Sequence, residues 1–524
     1  MNNIKNSTIG ETFKLAIQNH QEGKFDIAQN LYQKIIKIDP NHSSSHNNLG
    51  IIFINLKEYP KAINCFKKAI DINPKYADAH NNLGIVYKVL KEYPKAISCY
   101  EKAIEIKPNY VNAYNNLGTI LHKIDKIDET LKVYEKLIEL RPSNAEFNNN
   151  LGIILHKLNR FDEAEAHYKK AIELKSDYKE VYNNLGYLQK IRGKLKLAEA
   201  NFKKAIELNF NSEIVYNNLA NTLHGLGKFD EAILNYKKAI ELKPDFDEAY
   251  KDLGITLYEL RKYKDAAEQF TLSNLDISKQ FRLRCLFKLD DQANFYKQLD
   301  SYIDQGVTNP LIGSLTYLAQ NKYSIKRNNS FCNRPLNFVL KTDLTKLYDF
   351  KTTFIKTISD ILLSNKVEKK FQGLLTNGFQ TSGNIFTQNG TLTNKIEKII
   401  YSEIEKYRNH FKNNKEGFLK KWPNDYFING WLINMKSGGK LSPHIHELGW
   451  LSGSVYINVP PKSKTDSGNL VVCMEDNKHE KNEKKIIDVV TGSLCLFPSS
   501  LFHYTIPFDS KEDRIVLAFD VLEK

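Results

Sequence analysis

His444 and His446 stand one residue apart, just beyond the turn Ser437-Gly438-Gly439, so on an extended chain both imidazoles project to the same side. A third histidine, His503, follows 57 residues after His446, and Arg514 lies eleven residues beyond it. Imidazole is the commonest protein ligand for first-row transition metals. Two ligands from a strand entry and one from a distant strand can occupy one face of an octahedron and leave the opposite face open. Against this stands the ordinary fate of a histidine, which is to be hydrogen-bonded in a core or at a surface, and the chain has 13 of them. Arg514 alone would read as a strand-end salt bridge with Glu512 or Asp513. The joint pattern is harder to obtain by chance: H-x-H, then G-x-L-x-L-F-P-x-x-L-x-H ending at His503, then an arginine opening an apolar run. It points to a metal site.

The elements that must position these groups are strands. From Tyr426 onward the apolar period is 2, in FINGWLINM, WLSGSVYINV, NLVVCM, SLCLFP with FHYTIPF, and RIVLAFDVL. The turns between them fall at Ser437 to Gly439, Lys464 to Gly468, Thr491-Gly492 and Asp509 to Asp513. Short strands at such spacing predict an antiparallel sandwich or barrel rather than a parallel sheet. Upstream, helical periods run near Leu344 to Leu363 and Asn394 to Phe411.

This region, residues 335–524, resembles the Fe(II)- and 2-oxoglutarate-dependent oxygenases, which carry their metal in a double-stranded β-helix of the jelly-roll or cupin-like kind. The segments PHIHELGWLSGSVYINVP and TGSLCLFPSSLFHYTIPF look like a subgroup often fused to tetratricopeptide repeats. The resemblance implies Fe(II) on His444 and His503 and the distal carboxylate of 2-oxoglutarate on Arg514; Tyr456, two residues past Ser454 on its predicted strand, either reaches the co-substrate carboxylate or packs as a strand aromatic. It further implies that O2 is the second co-substrate, that succinate and CO2 are released, and that a substrate C–H is hydroxylated. Most of the superfamily has Asp or Glu where this chain has His446. Three readings are open: His446 is the third ligand, Glu447 swings in as the carboxylate, or only two protein ligands are used, as in the aspartyl/asparaginyl β-hydroxylases. Of these, His446 as ligand is favoured. A three-histidine cupin-like dioxygenase that uses no 2-oxoglutarate would need no partner for a carboxylate, and Arg514 argues against it. Trp431 and Trp450 flank the site in sequence, and Trp431 is expected in the core. The Gln380-Thr381-Ser382-Gly383-Asn384 segment has no role that its residue types alone assign.

The first half of the chain repeats. Asn-Asn-Leu-Gly recurs every 34 residues from Asn47 to Gly186, and variants continue at Asn217 to Ala220 and Lys251 to Gly254. Alanine (Ala28, Ala62, Ala96, Ala164, Ala198, Ala232, Ala266) is followed four positions on by an aromatic residue, one helical turn later on the same face. Thr130 interrupts that series, and prolines such as Pro40, Pro74 and Pro108 close the units. The pattern resembles the tetratricopeptide repeat over residues 7–275, about eight units, which implies an all-α superhelix, or α-solenoid, whose inner surface binds peptides. Asn48, Asn82, Asn116, Asn150, Asn184 and Asn218 would then line up as a row of amides. A similar row in the O-linked N-acetylglucosamine transferases implies capture of an extended polypeptide; the other reading is that the amides bond adjacent loops or face water.

Residues 276–305 are expected to cap the array and 306–334 to form a linker. A net charge of +14 would permit an acidic partner, but the lysines are spread as pairs such as Lys67-Lys68 over repeat surfaces, which argues against nucleic acid. Six scattered cysteines form neither a disulfide framework nor a zinc module, MNNIKNSTIG has no apolar leader, and no apolar run is long enough to span a membrane. The expected setting is the cytoplasm. The expected function is hydroxylation of a protein or peptide side chain presented by the repeats; the alternative is a non-catalytic interaction scaffold with a degenerate β-helix module.

Overall fold

The computed structural model describes residues 2–363, 369–370, 374–388, 390–475 and 483–524. The chain forms two compact units that divide between Val181 and Tyr182, inside the helix Lys179–Ile191.

The first unit is built of antiparallel helix pairs, for example Ser43–Asn55 with Tyr59–Ile72 and Ala77–Val89 with Tyr93–Ile106. The leucine-glycine signature has a steric cause. A Cβ built on Gly84 would lie 2.6 Å from the Tyr100 ring, and one on Gly50 or Gly152 would lie 2.7 Å from Phe66 or Tyr168. The aromatic residue of the second helix therefore packs against bare backbone of the first. Turns within pairs use the left-handed region at equivalent positions, Gly23, Lys57, Lys91, Asp125 and Asn159. We expect Gly84→Val to lower stability by about 1–3 kcal/mol, the usual cost of overpacking a filled core, read as a drop in the thermal unfolding midpoint.

The second unit begins with the remaining repeats, through Tyr263–Leu272, and continues into helices Asp276–Lys288 and Gln292–Asp304 in the stretch expected to cap them. The expected linker is not one. It contains the helix Pro310–Tyr323, N-capped by Asn309, whose Leu311, Ile312, Leu315 and Ala319 join the core formed with the last repeats. The apolar spacing there was masked by the polar sequence that follows it. Nor does the chain part near residue 275: the repeats from 182 onward share a unit with the β domain.

That domain holds ten described strands: β1 Leu340–Asp343, β2 Lys369–Lys370, β3 Leu375–Thr381, β4 Tyr426–Leu441, β5 Leu451–Asn458, β6 Leu470–Cys473, β7 Lys484–Ile487, β8 Ser493–Pro498, β9 Phe502–Thr505 and β10 Arg514–Glu523. They form an antiparallel seven-stranded sheet ordered β1-β8-β5-β10-β4-β3-β2 and a three-stranded sheet ordered β7-β6-β9. One face of the large sheet packs on the helix Gly390–His410 through Leu451, Val455, Leu517 and Phe519. The opposite face meets the small sheet through Tyr456, Phe497 and Val516 against Leu470 and Val472. This is the two-sheet β-helix architecture expected from the strand spacing. Four strands were not evident in the sequence: β7, an edge strand whose lysines hide its alternation; β3, broken by a register shift near Gly378; and the short β1 and β2.

Candidate metal centre and its anion pocket

β9 places His503 directly beside His444. The two residues exchange both backbone hydrogen bonds, His444 N to His503 O at 3.2 Å and His503 N to His444 O at 2.9 Å. Their ring centroids lie 4.2 Å apart, and the His446 ring is 5.0 Å from His444 and 4.8 Å from His503. One potential ligand atom from each of the three falls within 4.8 Å of the others. Between them Ile445 points the other way, into a small cluster with Cys473 and Phe502, as strand alternation requires.

Each ring is oriented by an oxygen at Nδ1. His444 Nδ1 donates to Ser442 O at 2.9 Å, His503 Nδ1 to Leu501 O at 3.4 Å, and His446 Nδ1 to Asp520 Oδ1 at 2.6 Å. Carbonyl and carboxylate oxygens only accept, so Nδ1 carries a proton, and in the neutral ring Nε2 presents its lone pair. Burial, and then the neighbouring His446, lowers the pKa of His444 to about 3, and burial with both neighbours pulls His503 well below its ordinary value. Neutral imidazoles have no proton to lose before they bind a metal.

Arg514 opens β10 on the same wall and is 1% exposed. Nη1 donates to Thr505 Oγ1 at 3.0 Å, and the guanidinium lies over the Tyr456 ring, 5.1 Å from its centroid. Nε and Nη2 are buried with no hydrogen-bond partner among the described residues. A fully buried cation with unused donors is costly unless an anion completes it, and burial pulls its pKa below the usual value. Tyr456, from the centre of β5, is enclosed beside it, and burial raises its hydroxyl pKa. The same cavity is lined by Gln380, Trp431, Leu441, Phe497 and Tyr504. The donor set fits both a divalent transition metal and a carboxylate held a short distance away.

One expectation needs correction. Trp431 is a cavity wall, its ring 5.4 Å from His446, because it shares strand parity with Ile433 and Met435. Trp450 is the core residue, donating from Nε1 to Phe418 O at 2.6 Å and packing on Phe331. Glu447 turns away from the three rings and pairs with Arg284 of the helix Asp276–Lys288. The amides of the repeat row are half-buried to buried: Asn82 Nδ2 donates to Asn47 Oδ1 at 3.0 Å, Asn116 Nδ2 to Asn81 Oδ1 at 3.1 Å, and Asn48 and Asn150 reach the hydroxyls of Tyr32 and Tyr134. Asn218 Oδ1 accepts from Lys190 Nζ at 2.9 Å, and Asn184 is half-buried.

Other residues of the site escaped the sequence reading. Asp520 shares its strand face with Arg514, Val516 and Ala518, so the signal available was a lone acid in the apolar run RIVLAFDVL. The segment around Gln380 has a positional role. Thr381 Oγ1 accepts from Leu432 N, and Asn384 clamps β4 by donating to Ile428 O and accepting from Gly430 N. Its Ser382 carbonyl accepts from Gln388 Nε2, and both sit against the repeat turn at Gly193 so closely that a Cβ there would lie 2.7 Å from each.

Comparison with known proteins agrees with both halves. Residues 429–520 match the family described as "Putative 2OG-Fe(II) oxygenase". Tetratricopeptide repeat families match residues 31–64, 52–90, 77–110, 109–177, 143–209 and 221–260. The chain therefore has a repeat region similar to the tetratricopeptide repeat families and a C-terminal region similar to the family so described. Similar solved structures include MamA (27% identity, 31% of this chain and 94% of that one, TM-score 0.29) and YrrB, a TPR protein with an unusual peptide-binding site (23% identity, 38% and 97%, TM-score 0.32). The Cut9-Hcn1 assembly of the APC/C is also similar (17% identity, 50% and 52%, TM-score 0.37). No curated protein matches the sequence. No helix among the described residues is long and apolar enough to cross a membrane.

Proposed function

We propose that the protein is an Fe(II)- and 2-oxoglutarate-dependent dioxygenase that hydroxylates a side chain of a protein or peptide held by its repeats. The observation that carries this reading is the buried Arg514, with Nε and Nη2 unpartnered, in one cavity with three convergent imidazoles. His444, His446 and His503 would hold the metal; Arg514, with Thr505 and Tyr456, would hold the distal carboxylate as a charge-assisted fork. Bound Fe(II) with 2-oxoglutarate and O2 would supply an oxidant that replaces C–H by C–OH, one oxygen atom of O2 going to the substrate and the other to succinate as CO2 leaves. Around it, Trp431, Leu441 and Phe497 exclude water and orient the substrate.

The repeats raise the local concentration of substrate, so a weak encounter becomes effectively intramolecular. The row Asn48, Asn82, Asn116, Asn150, Asn184 and Asn218 is our candidate for holding the peptide backbone, since an amide already bonded once still has capacity left. The cytoplasm suits the six cysteines, all free thiols.

The test is conversion of 2-oxoglutarate to succinate by the Fe(II)-reconstituted full-length protein, with and without an extended peptide library. We expect turnover that rises with peptide. Wild type that takes up Fe(II) yet neither binds nor consumes 2-oxoglutarate would overturn the enzyme in favour of a scaffold.

A further inference from the structure

Asp520 is 7% exposed and projects from the cavity side of β10. Its Oδ1 accepts from His446 Nδ1 at 2.6 Å and from Ser452 Oγ at 2.7 Å, and Ser452 Oγ lies 2.8 Å from Ser499 Oγ. The other two ring nitrogens face neutral backbone carbonyls at 2.9 and 3.4 Å. So only His446, the residue standing where a carboxylate is expected, is backed by an acid, and by the shortest of the three contacts. Short contacts of this type are charge-assisted. The pocket leaves no slack for Asp520: a Cβ on Gly449 would lie 3.0 Å from its Cγ, and the adjoining loop is pinned by Trp450 N to Val521 O at 2.7 Å.

We infer that Asp520 is a positioning residue that returns, through His446, the negative charge a directly ligating carboxylate would have brought to the metal. Resting on the metal reading above, the inference makes the site a three-imidazole set with one ligand enriched by a carboxylate behind it. An acid hydrogen-bonded to a ligating imidazole raises its basicity and fixes its tautomer, and losing such a partner weakens metal binding by roughly 10- to 100-fold. Ser452 serves Asp520 in turn, holding Oδ1 on the line to Nδ1.

The experiment is a Co(II) titration of the full-length protein as wild type, Asp520→Asn and Ser452→Ala, with apo-protein melting and NMR of the exchangeable imidazole N–H signals of the Co(II) form. Asparagine keeps an acceptor oxygen in place and removes only the charge. We expect Asp520→Asn to bind Co(II) at least about 10-fold more weakly, with an apo melting point no lower than wild type and one of three N–H signals displaced. Ser452→Ala should weaken binding by a smaller factor. Equal affinities in wild type and Asp520→Asn overturn the inference and leave the metal reading standing, as does a weakening in which all three signals move together. Wild type that takes up no Co(II) overturns the metal reading and the inference with it.

Discussion

If Arg514 holds the distal carboxylate, Arg514→Met is expected to weaken 2-oxoglutarate binding severely without lowering the stability of the apo-protein. The two halves of this result have one cause. In the free protein the guanidinium is buried, donates once to Thr505, and leaves Nε and Nη2 unpaired. A methionine of similar length removes that burden, and replacing buried ionic groups by packed apolar ones is often neutral or stabilising. With a dicarboxylate bound, the guanidinium is the counter-charge, and removing one partner of a desolvated pair costs about 2–5 kcal/mol. At about 1.4 kcal/mol per decade that is a loss of roughly 30-fold to several thousandfold in affinity. Calorimetric titration of 2-oxoglutarate into Mn(II)-loaded protein measures the first half, and thermal melting of the apo form the second. Lysine should not rescue binding, because a single ammonium cannot reproduce the planar fork. Retained wild-type affinity in the methionine variant would place the carboxylate elsewhere.

His503→Ala is expected to weaken metal binding sharply while the two segments it joins stay together. The pairing of residues 444 and 503 runs through backbone atoms, N to O in both directions, so it survives loss of the side chain. What goes is one of three convergent lone pairs. Structural zinc sites with four ligands bind with about 10–16 kcal/mol, or about 3 kcal/mol for each ligand, so affinity should fall by about 100-fold or more. Titration with Co(II), read by its visible spectrum, tests this, and circular dichroism checks that the sheets persist. Undiminished binding would move the metal off the triad. Were His446 the charge-compensated ligand, the order of loss should be His446→Ala at least as severe as His503→Ala.

The legible parts of this protein are those whose partners are close in sequence. A glycine and an aromatic ring that must touch lie sixteen residues apart, as Gly84 and Tyr100 do, and the requirement recurs with each 34-residue unit. The H-x-H pair was legible for a similar reason, since alternation on an extended chain sends both rings one way whatever the sheet around them. His503 and Arg514 were nominated by the joint motif and the family it resembles, a G-x-L-x-L-F-P-x-x-L-x-H run ending at His503 and an arginine opening an apolar run.

What stayed hidden depends on register between distant strands. Whether Trp431 or Trp450 walls the cavity turns on the parity with which β4 enters the sheet and on where Phe418 offers a carbonyl. Glu447 read as a spare metal ligand until the helix Asp276–Lys288 brought Arg284 to it. The helix Pro310–Tyr323 looked like linker because its apolar face is needed only by a core assembled from other segments. By itself, then, the sequence determined that there is a repeat array and a β domain, since both follow from recurring local patterns, and it nominated three imidazoles and a cation that the structure brings together. Only the tertiary structure decided that the acid missing from position 446 stands behind it, 74 residues away on β10. A hydrogen bond between distant strands is set by their pairing across the sheet, which no local pattern encodes.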